Sequence, residues 1–192
     1  GTLAGACNLT DRITALASFL VGKLRAGLAH VNIVAAMLFG GITGSAVAET
    51  AALGSILIPS MVRRGYPAGY AAGLTACAGT IGALIPPSVL MIIYGFLTGV
   101  STGKLFLGGA IPGVLVGLAL MLVAYGISVR KGFGRNEDAT PRTLRGFVAV
   151  LKESGPALLI PVIIIGGIIG GVFTPTEAGV VAVATVLVLG MF

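Results

Sequence analysis

Apolar residues fill long stretches of this chain, and charged residues interrupt them at only a few places. The stretches without Asp, Glu, Lys or Arg are 26–48, 50–62, 65–103, 105–129, 154–176 and 178–192. A helix needs about 20 residues to cross a hydrocarbon core of roughly 30 Å. Polar and apolar residues do not alternate as they do in the strands of a membrane barrel. The pattern therefore predicts an all-α integral membrane protein.

Two of these stretches contain residues that interrupt a helix. The tract GGITGS at 40–45 favours irregular backbone because of its glycines. The tract IPPS at 85–88 lacks two amide donors and restricts the residue before each proline. We predict a hairpin over 26–62 with its tip at 43–45, followed by a broken transmembrane helix over 63–103.

The positions of the basic residues indicate how the hairpin sits in the membrane. Basic residues flank 26–62 on both sides, and a further cluster lies at 130–152. If 26–62 enters and leaves on one face, eleven of the 12 basic residues are cytoplasmic and only Lys104 is external. We therefore predict a re-entrant hairpin. Its irregular tip would be buried near mid-membrane, against protein or a water-filled cavity.

The rest of the chain divides around these two breaks. The stripe of Ile13, Leu16, Leu20 and Leu24 predicts an amphipathic interfacial helix at 11–22. The predicted hairpin arms are 26–39 and 46–62, and the halves of the broken helix are 66–84 and 89–97. The predicted segments are 1–25 (interfacial), 26–62 (hairpin), 63–103 (broken helix), 104–130 (transmembrane helix), 131–153 (cytoplasmic loop) and 154–192 (a transmembrane helix from 156, then the start of the next).

Composition and charge exclude several classes of protein. With 56% hydrophobic and 9% charged residues and a mean hydropathy of +1.08, the chain is not an ordinary water-soluble domain. The net charge of +6 is explained by membrane topology and does not imply a nucleic-acid partner. The glycines at 40–44 lack the preceding strand and the lysine of a phosphate loop. No nucleophile and base pair up, so we do not expect an enzyme.

Small hydroxyl residues cluster at both breaks, and they suggest a binding site. The hydroxyls are Thr43, Ser45 and Thr50 at the first break, and Thr75, Thr80 and Ser88 at the second. In secondary transporters, the N-termini of broken helices face anionic substrate groups, and unwound carbonyl groups coordinate Na⁺. The same hydroxyls could instead serve close helix packing.

Three ionisable residues, Glu49, Glu177 and His30, are each interpreted separately. Glu49 lies inside the hairpin, where an acid marks an ion path or proton relay, or ties the tip by accepting N–H bonds. Glu177 lies in a helix start, with Thr174 or Thr176 as the N-cap and Pro175 in the first turn. We read His30 as a polar interface or subunit contact.

An ordered set of motifs makes the chain resemble the large membrane subunit of TRAP transporters. The motifs are GGITGSAVAETAA at 40–52, GSILIP at 54–59, RGY at 64–66, AGTIG at 78–82, IPPS at 85–88, IYG at 93–95 and FTPTEA at 173–178. The resemblance runs over nearly the whole chain. The family pattern usually has Asp where this chain has Glu49, whose extra methylene keeps the charge but moves it.

The resemblance implies a tripartite, ATP-independent uptake system in a bacterial or archaeal cytoplasmic membrane. An extracytoplasmic binding protein delivers an organic acid, and a small four-helix membrane subunit forms a scaffold. The large subunit carries the substrate by an elevator motion coupled to Na⁺, with no covalent cofactor. C4-dicarboxylates, sialic acids, sugar acids and keto acids all remain open as substrates. Another ion-coupled anion transporter with re-entrant hairpins is the alternative, and a channel fits less well because polarity is confined to the two breaks.

The resemblance also implies where the substrate and the ion bind. Candidate contacts are Thr43, Gly44, Ser45, Glu49, Thr50, Thr80, Gly82, Pro86, Pro87 and Ser88. Na⁺ is placed at Thr43, Ser45 and Ser88. In the family a second hairpin completes the site, and it would lie beyond Phe192. We therefore expect this chain to hold about half of the site and not to complete transport alone.

Overall fold

The computed structural model describes residues 9–134 and 144–190, which form helices and contain no strand. The all-α prediction is confirmed for this part of the chain. The helices are α1 (Leu9–Val21), α2 (Gly27–Thr43), α3 (Ala46–Arg63), α4 (Ala68–Gly79), α5 (Val89–Thr98), α6 (Thr102–Lys131), α7 (Leu144–Ile169) and α8 (Pro175–Gly190), with a 3-10 helix at Thr80–Ala83.

Helix α2 lies at the centre of the fold. It packs against α1, α3, α4, α6, α7 and the 3-10 helix. Ile33, Ala36 and Phe39 on this helix are fully buried. The first arm of the predicted hairpin is therefore enclosed by protein.

The chain turns from α2 into α3 in two residues. Gly44 ends α2 in the left-handed region with φ +58°, and Ser45 begins α3 in an extended conformation. The irregular region is shorter than the predicted 40–45, because α2 continues as a helix through Thr43. Gly40 and Gly41 are buried within α2, and the backbone stays helical at both residues.

The second break lies between the 3-10 helix and α5. Helix α4 ends at Gly79 and is followed directly by the 3-10 helix. The chain is then irregular through Ser88. Pro86 and Pro87 carry no amide hydrogen, so no helix can continue through them. The predicted break is present, and both halves are short.

Glycines spaced four residues apart on α6 bring it close to the rest of the fold. A Cβ at Gly113 would lie 2.7 Å from Ile85 Cγ1, and one at Gly117 would lie 2.5 Å from Met37 Sδ. Small residues at this spacing allow membrane helices to pack closely. They let α6 support both α2 and the second break.

Helix α1 differs from the predicted interfacial helix. Ile13 and Leu16 on α1 are buried in the fold, where α1 packs against α2 and α7, while Leu20 is 44% exposed. Leu24 lies beyond the end of α1. The predicted apolar stripe therefore packs partly on protein and does not form one membrane-facing surface.

Helix α7 begins at Leu144, although a transmembrane helix was predicted only from 156 and a loop over 131–153. The charged residues at 152 and 153 bounded the apolar stretch 154–176, but charged residues do not end a helix. Part of the predicted loop, 135–143, lies outside the described residues.

Among the described helices, α3 and α6 are long and apolar enough to cross a membrane. Helix α3 has 18 residues and is therefore about 27 Å long. That length suits both a full crossing and a re-entrant arm. The depth of the hairpin must be inferred from what its tip contacts.

Candidate binding site between two helix breaks

The tip of the α2–α3 hairpin lies directly against the second break. The Val89 amide donates a hydrogen bond of 3.2 Å to the Gly44 carbonyl oxygen. A Cβ at Gly44 would lie 2.6 Å from the Pro87 carbonyl oxygen, so only glycine fits there. Two tracts separated by about 40 residues of sequence therefore meet at one place.

This contact continues along the last turns of α2. A Cβ at Gly40 would lie 2.6 Å from Gly82 Cα, and one at Gly41 would lie 3.4 Å from the Pro86 carbonyl oxygen. Gly41 also faces Pro161 of α7, whose Cβ would be 3.3 Å away. The glycines of α2 thus form a flat face for the second break. The sequence contained no signal that Pro161 would join it.

Four helix ends converge at this place. Helix α2 and the 3-10 helix end here, while α3 and α5 begin here after Ser45 and Ser88. The C-terminal ends of α2 and the 3-10 helix present carbonyl oxygens. The N-terminal ends of α3 and α5 present amide hydrogens and carry the positive end of the helix dipole. The arrangement can therefore attract a cation at its carbonyl ends and an anionic group at its amide ends.

Hydroxyl oxygens line the contact. Thr43 Oγ1 accepts from the Ser45 amide at 3.5 Å, and Ser45 Oγ accepts from the Ala48 amide at 3.5 Å. Ser88 is fully buried, and its Oγ donates to the Ala83 carbonyl oxygen at 2.7 Å. Each hydroxyl keeps a lone pair beyond these bonds. Such an oxygen donor set fits a hard cation such as Na⁺.

Glu49 lies beside this contact and is fully buried. Neither carboxylate oxygen has a hydrogen-bond partner among the described residues. Gly40 and Gly82 leave the space that the side chain fills: a Cβ at Gly40 would lie 3.3 Å from Oε2, and one at Gly82 would collide with it. The hypothesis that Glu49 stabilises the hairpin tip by accepting hydrogen bonds from N–H groups is therefore not supported. A buried carboxylate without a partner is costly, and a bound cation would compensate it.

The threonines predicted near the breaks have three different surroundings. Thr50 packs on Gly79, where a Cβ would meet its hydroxyl. Thr80 is exposed and donates to the Cys77 carbonyl oxygen at 2.7 Å, within its own helical turn. No described contact joins Thr80 to the hairpin tip. Thr75 lies within α4 and donates to the Ala71 carbonyl oxygen, so it does not belong to the break.

Asn32 is a buried polar residue that the sequence reasoning missed. Its Nδ2 donates to Thr75 Oγ1 at 2.7 Å and lies 3.5 Å from Met61 Sδ. These contacts join α2 to α4 and α3. A signal was present in the sequence, because Asn32 is an amide in the uncharged stretch 26–48.

Two remaining predictions have clear outcomes. His30 is 4% exposed and stacks on Tyr125 of α6 with ring centroids 6.3 Å apart, so it packs inside the fold. Glu177 Oε2 accepts from the Thr174 amide at 2.8 Å, and the Glu177 amide donates to Thr174 Oγ1 at 3.3 Å. This reciprocal capping box confirms the predicted helix start and identifies Thr174 as the cap.

Comparison with known proteins gives a match over the whole chain. The family model described as "Tripartite ATP-independent periplasmic transporter, DctM component" matches residues 1–192.

Curated relatives share more than two fifths of their aligned residues with this chain. The sialic acid TRAP transporter large permease protein SiaM of Vibrio cholerae is 45% identical over 190 residues, which cover 99% of this chain and 44% of SiaM. The C4-dicarboxylate TRAP transporter large permease protein DctM of Pseudomonas aeruginosa is 46% identical over 172 residues, 89% of this chain and 39% of that protein. The isethionate TRAP transporter permease protein DctMQ of Oleidesulfovibrio alaskensis is 43% identical over 192 residues, 100% of this chain and 30% of that protein. The chain spans less than half the length of each of these relatives.

Proposed function

Because the chain belongs to the DctM component family of tripartite ATP-independent periplasmic transporters, we propose that it forms part of the transport site of a membrane permease. The substrate is an organic acid, and its uptake is coupled to Na⁺. The family consists of transporter permeases, which agrees with the expectation that the chain is not an enzyme.

The observation that carries this proposal is the meeting of the two breaks. The Gly44 carbonyl and the Val89 amide are hydrogen-bonded, and four helix ends surround them. In a membrane, irregular backbone is tolerated against protein or a water-filled cavity. Convergent helix ends at such a place match the general design of ion and anion sites in secondary transporters.

The residues at the contact divide between the two ligands. Oxygens of Thr43, Ser45 and Ser88 would hold Na⁺, and the Glu49 carboxylate beside them would compensate its charge. The first turns of α3 and α5 would face the acidic group of the substrate. Bound Na⁺ supplies the positive charge that couples the ion gradient to the anion.

The same contacts support an elevator motion. The hairpin and the second break are joined by a hydrogen bond and by close glycine contacts at Gly40, Gly41 and Gly44. Close packing of this kind resists displacement of one element relative to the other. We propose that they carry the site across the membrane together, as a re-entrant hairpin and a broken helix.

The proposed setting follows the family. The permease would lie in a bacterial or archaeal cytoplasmic membrane as a multi-pass protein. It would work with a small four-helix membrane subunit and an extracytoplasmic binding protein. Relatives are named for sialic acid, C4-dicarboxylates and isethionate, so we extend only the class of organic acid anion to this chain.

Substituting the three hydroxyls tests the site. We expect Thr43→Val, Ser45→Ala and Ser88→Ala, each in the full permease with its binding protein in proteoliposomes, to raise the Na⁺ concentration for half-maximal uptake. Loss of one oxygen ligand is worth about 1–2 kcal/mol, which corresponds to roughly a five- to thirtyfold change. Uptake would be measured against a panel of organic acids.

Matched controls separate binding from folding. Among the described residues, Ser55 and Thr98 bond to carbonyl groups of their own helices, at 2.8 and 2.7 Å, and to no other group. Ser55→Ala and Thr98→Val should leave the Na⁺ dependence unchanged. An unaltered Na⁺ dependence in all three site variants would remove the site assignment.

A further inference from the structure

A groove of about 320 Å³ runs along the outside of the fold between α4 and α6. Its walls include Gly69, Gly73 and Cys77 on α4 and Leu120, Val123 and Ile127 on α6. No atom lies within 4 Å of a Cβ placed at Gly69 or Gly73, so this face of α4 is open. The groove is separate from the contact between the two breaks.

An aromatic cluster closes one end of the groove. The ring centroids of Tyr66 and Phe133 are 6.1 Å apart, and those of Tyr70 and Phe133 are 5.5 Å apart. The Tyr70 hydroxyl lies 3.3 Å from Ser128 Oγ. Tyrosines concentrate at membrane–water interfaces, so the aromatic cluster favours a position of this end of the groove near a membrane surface.

Four basic residues flank the same end. Arg63 and Arg64 precede Tyr66, and Arg130 and Lys131 precede Phe133. All four are exposed. The acids with described side chains are Asp11, Glu49 and Glu177, and none of them lies on α4 or α6. The positive charge at the mouth of the groove is therefore not balanced by these helices.

We propose that the groove binds an anionic phospholipid of the cytoplasmic leaflet. One acyl chain lies between α4 and α6, and the phosphate is held by Arg63, Arg64, Arg130 and Lys131. Gly69 and Cys77 are eight positions apart on α4 and therefore about 12 Å apart along the helix, which is most of the roughly 15 Å depth of one leaflet. Basic pockets between membrane helices at the cytoplasmic face suit anionic headgroups.

Charge favours this occupant over two others that an apolar groove could take. A zwitterionic lipid fits the apolar walls equally well but does not balance the four basic residues. A second copy of the chain presents further positive charge, since the chain carries a net charge of +6. An anionic phospholipid matches both features, because its acyl chain suits the apolar groove and its phosphate suits the basic residues at the mouth.

Native mass spectrometry of the full permease tests the proposal. The protein is reconstituted with equal amounts of phosphatidylglycerol and phosphatidylcholine and then released from the bilayer. We expect phosphatidylglycerol to be retained at least threefold over phosphatidylcholine. The double variant Arg64→Gln/Arg130→Gln should remove that preference. Gly73→Leu should reduce the retention of phosphatidylglycerol at least threefold, because the leucine side chain fills the groove.

Two controls match these changes. Gly108 on α6 is also exposed with no atom within 4 Å of its Cβ position, so Gly108→Leu adds the same side chain outside the groove. Lys104→Gln removes an exposed charge away from the groove mouth. Both controls should retain phosphatidylglycerol as the wild type does.

Gly73→Leu changes no charge and so leaves the topology signal intact, which keeps the test decisive if the arginine variants insert wrongly. Equal retention of the two lipids by the wild type would overturn the proposal. So would retention that neither Gly73→Leu nor the arginine variant alters, or a dimer that Gly73→Leu dissociates.

Discussion

Gly44 must satisfy two demands at the centre of the candidate site. Its φ of +58° lies in the left-handed region, where side chains cost about 1–2 kcal/mol. Its missing Cβ also leaves room for the Pro87 carbonyl oxygen, which would be only 2.6 Å away. The second demand belongs to the contact between the breaks, and a matched variant can separate it from the first.

We expect Gly44→Ala to reduce Na⁺-dependent uptake at least tenfold, because the tip must move away from Pro87. Gly99→Ala is the control. Gly99 has φ +72° but no atom within 4 Å of its Cβ position, so it carries only the backbone cost. Uptake by the full permease with each variant, normalised to the amount of folded protein, measures the difference. Equal uptake by the two variants would argue against a functional contact.

Glu49 is the residue whose surroundings say most about ion binding. It is fully buried with two oxygens that lack partners among the described residues. A neutral side chain of the same shape avoids the cost of burying a charge. Its replacement can therefore distinguish a cation ligand from a structural residue.

We expect Glu49→Gln to keep or raise the melting temperature in Na⁺-free buffer, and to lose the rise that Na⁺ causes in the wild type. A ligand at 100 times its Kd stabilises a protein by about 2.7 kcal/mol, so the lost shift is measurable by thermal unfolding. Glu177→Gln alters only a helix cap and should keep the Na⁺ response. If Na⁺ stabilises Glu49→Gln as it does the wild type, the Glu49 carboxylate does not bind the ion.

At the scale of elements, α2 connects the site to the rest of the fold. It packs against six neighbouring elements, and its Asn32 amide bonds to Thr75 of α4 at 2.7 Å. Beyond Asn32, α2 ends at the hairpin tip, and beyond Thr75, α4 leads through the 3-10 helix to the second break. One buried hydrogen bond therefore joins the two elements whose far ends meet at the site.

We expect Asn32→Ala and Thr75→Val to be coupled in a double-mutant cycle. Hydrogen bonds between membrane helices contribute about 0.6 kcal/mol on average and up to about 1.7 kcal/mol. Reversible unfolding of the full permease in mixed detergent micelles measures the coupling. Asn32→Ala with Ser55→Ala serves as the control pair, because Ser55 bonds within its own helix and the two effects should add. Additive effects for Asn32 and Thr75 would contradict the role assigned to their bond.

At the scale of the whole molecule, the chain corresponds to less than half the length of its curated relatives. It covers 44% of SiaM from Vibrio cholerae and 30% of DctMQ from Oleidesulfovibrio alaskensis. At the hairpin tip, Ser45 is half-buried and Val47 is exposed, so the described residues do not fully enclose the candidate site.

We expect the 192-residue chain alone to accumulate no substrate in proteoliposomes supplied with the binding protein and a Na⁺ gradient. The reason is that it carries only part of the proposed site. The full permease, prepared in the same way, is the positive control. Robust accumulation by the shorter chain would show that the described elements suffice for transport.

Several features could be predicted because they depend on local chemistry. Long uncharged stretches require helices in a membrane, since lipid cannot satisfy backbone polar groups. Pro86 and Pro87 must interrupt a helix wherever they lie, and Thr174, Pro175 and Glu177 encode a helix start. The same locality explains the errors: the charged residues at 152 and 153 ended an apolar stretch without ending α7.

Other features depended on contacts between distant parts of the chain. The order of residues was enough to predict two breaks in the helices and the small hydroxyl residues near them. The packing of the helices was needed to see that Gly44 bonds to Val89, that Glu49 lies between Gly40 and Gly82, and that Thr80 is exposed. The physical reason is that a break follows from the backbone limits of a few adjacent residues, whereas its partner is selected by how whole helices pack.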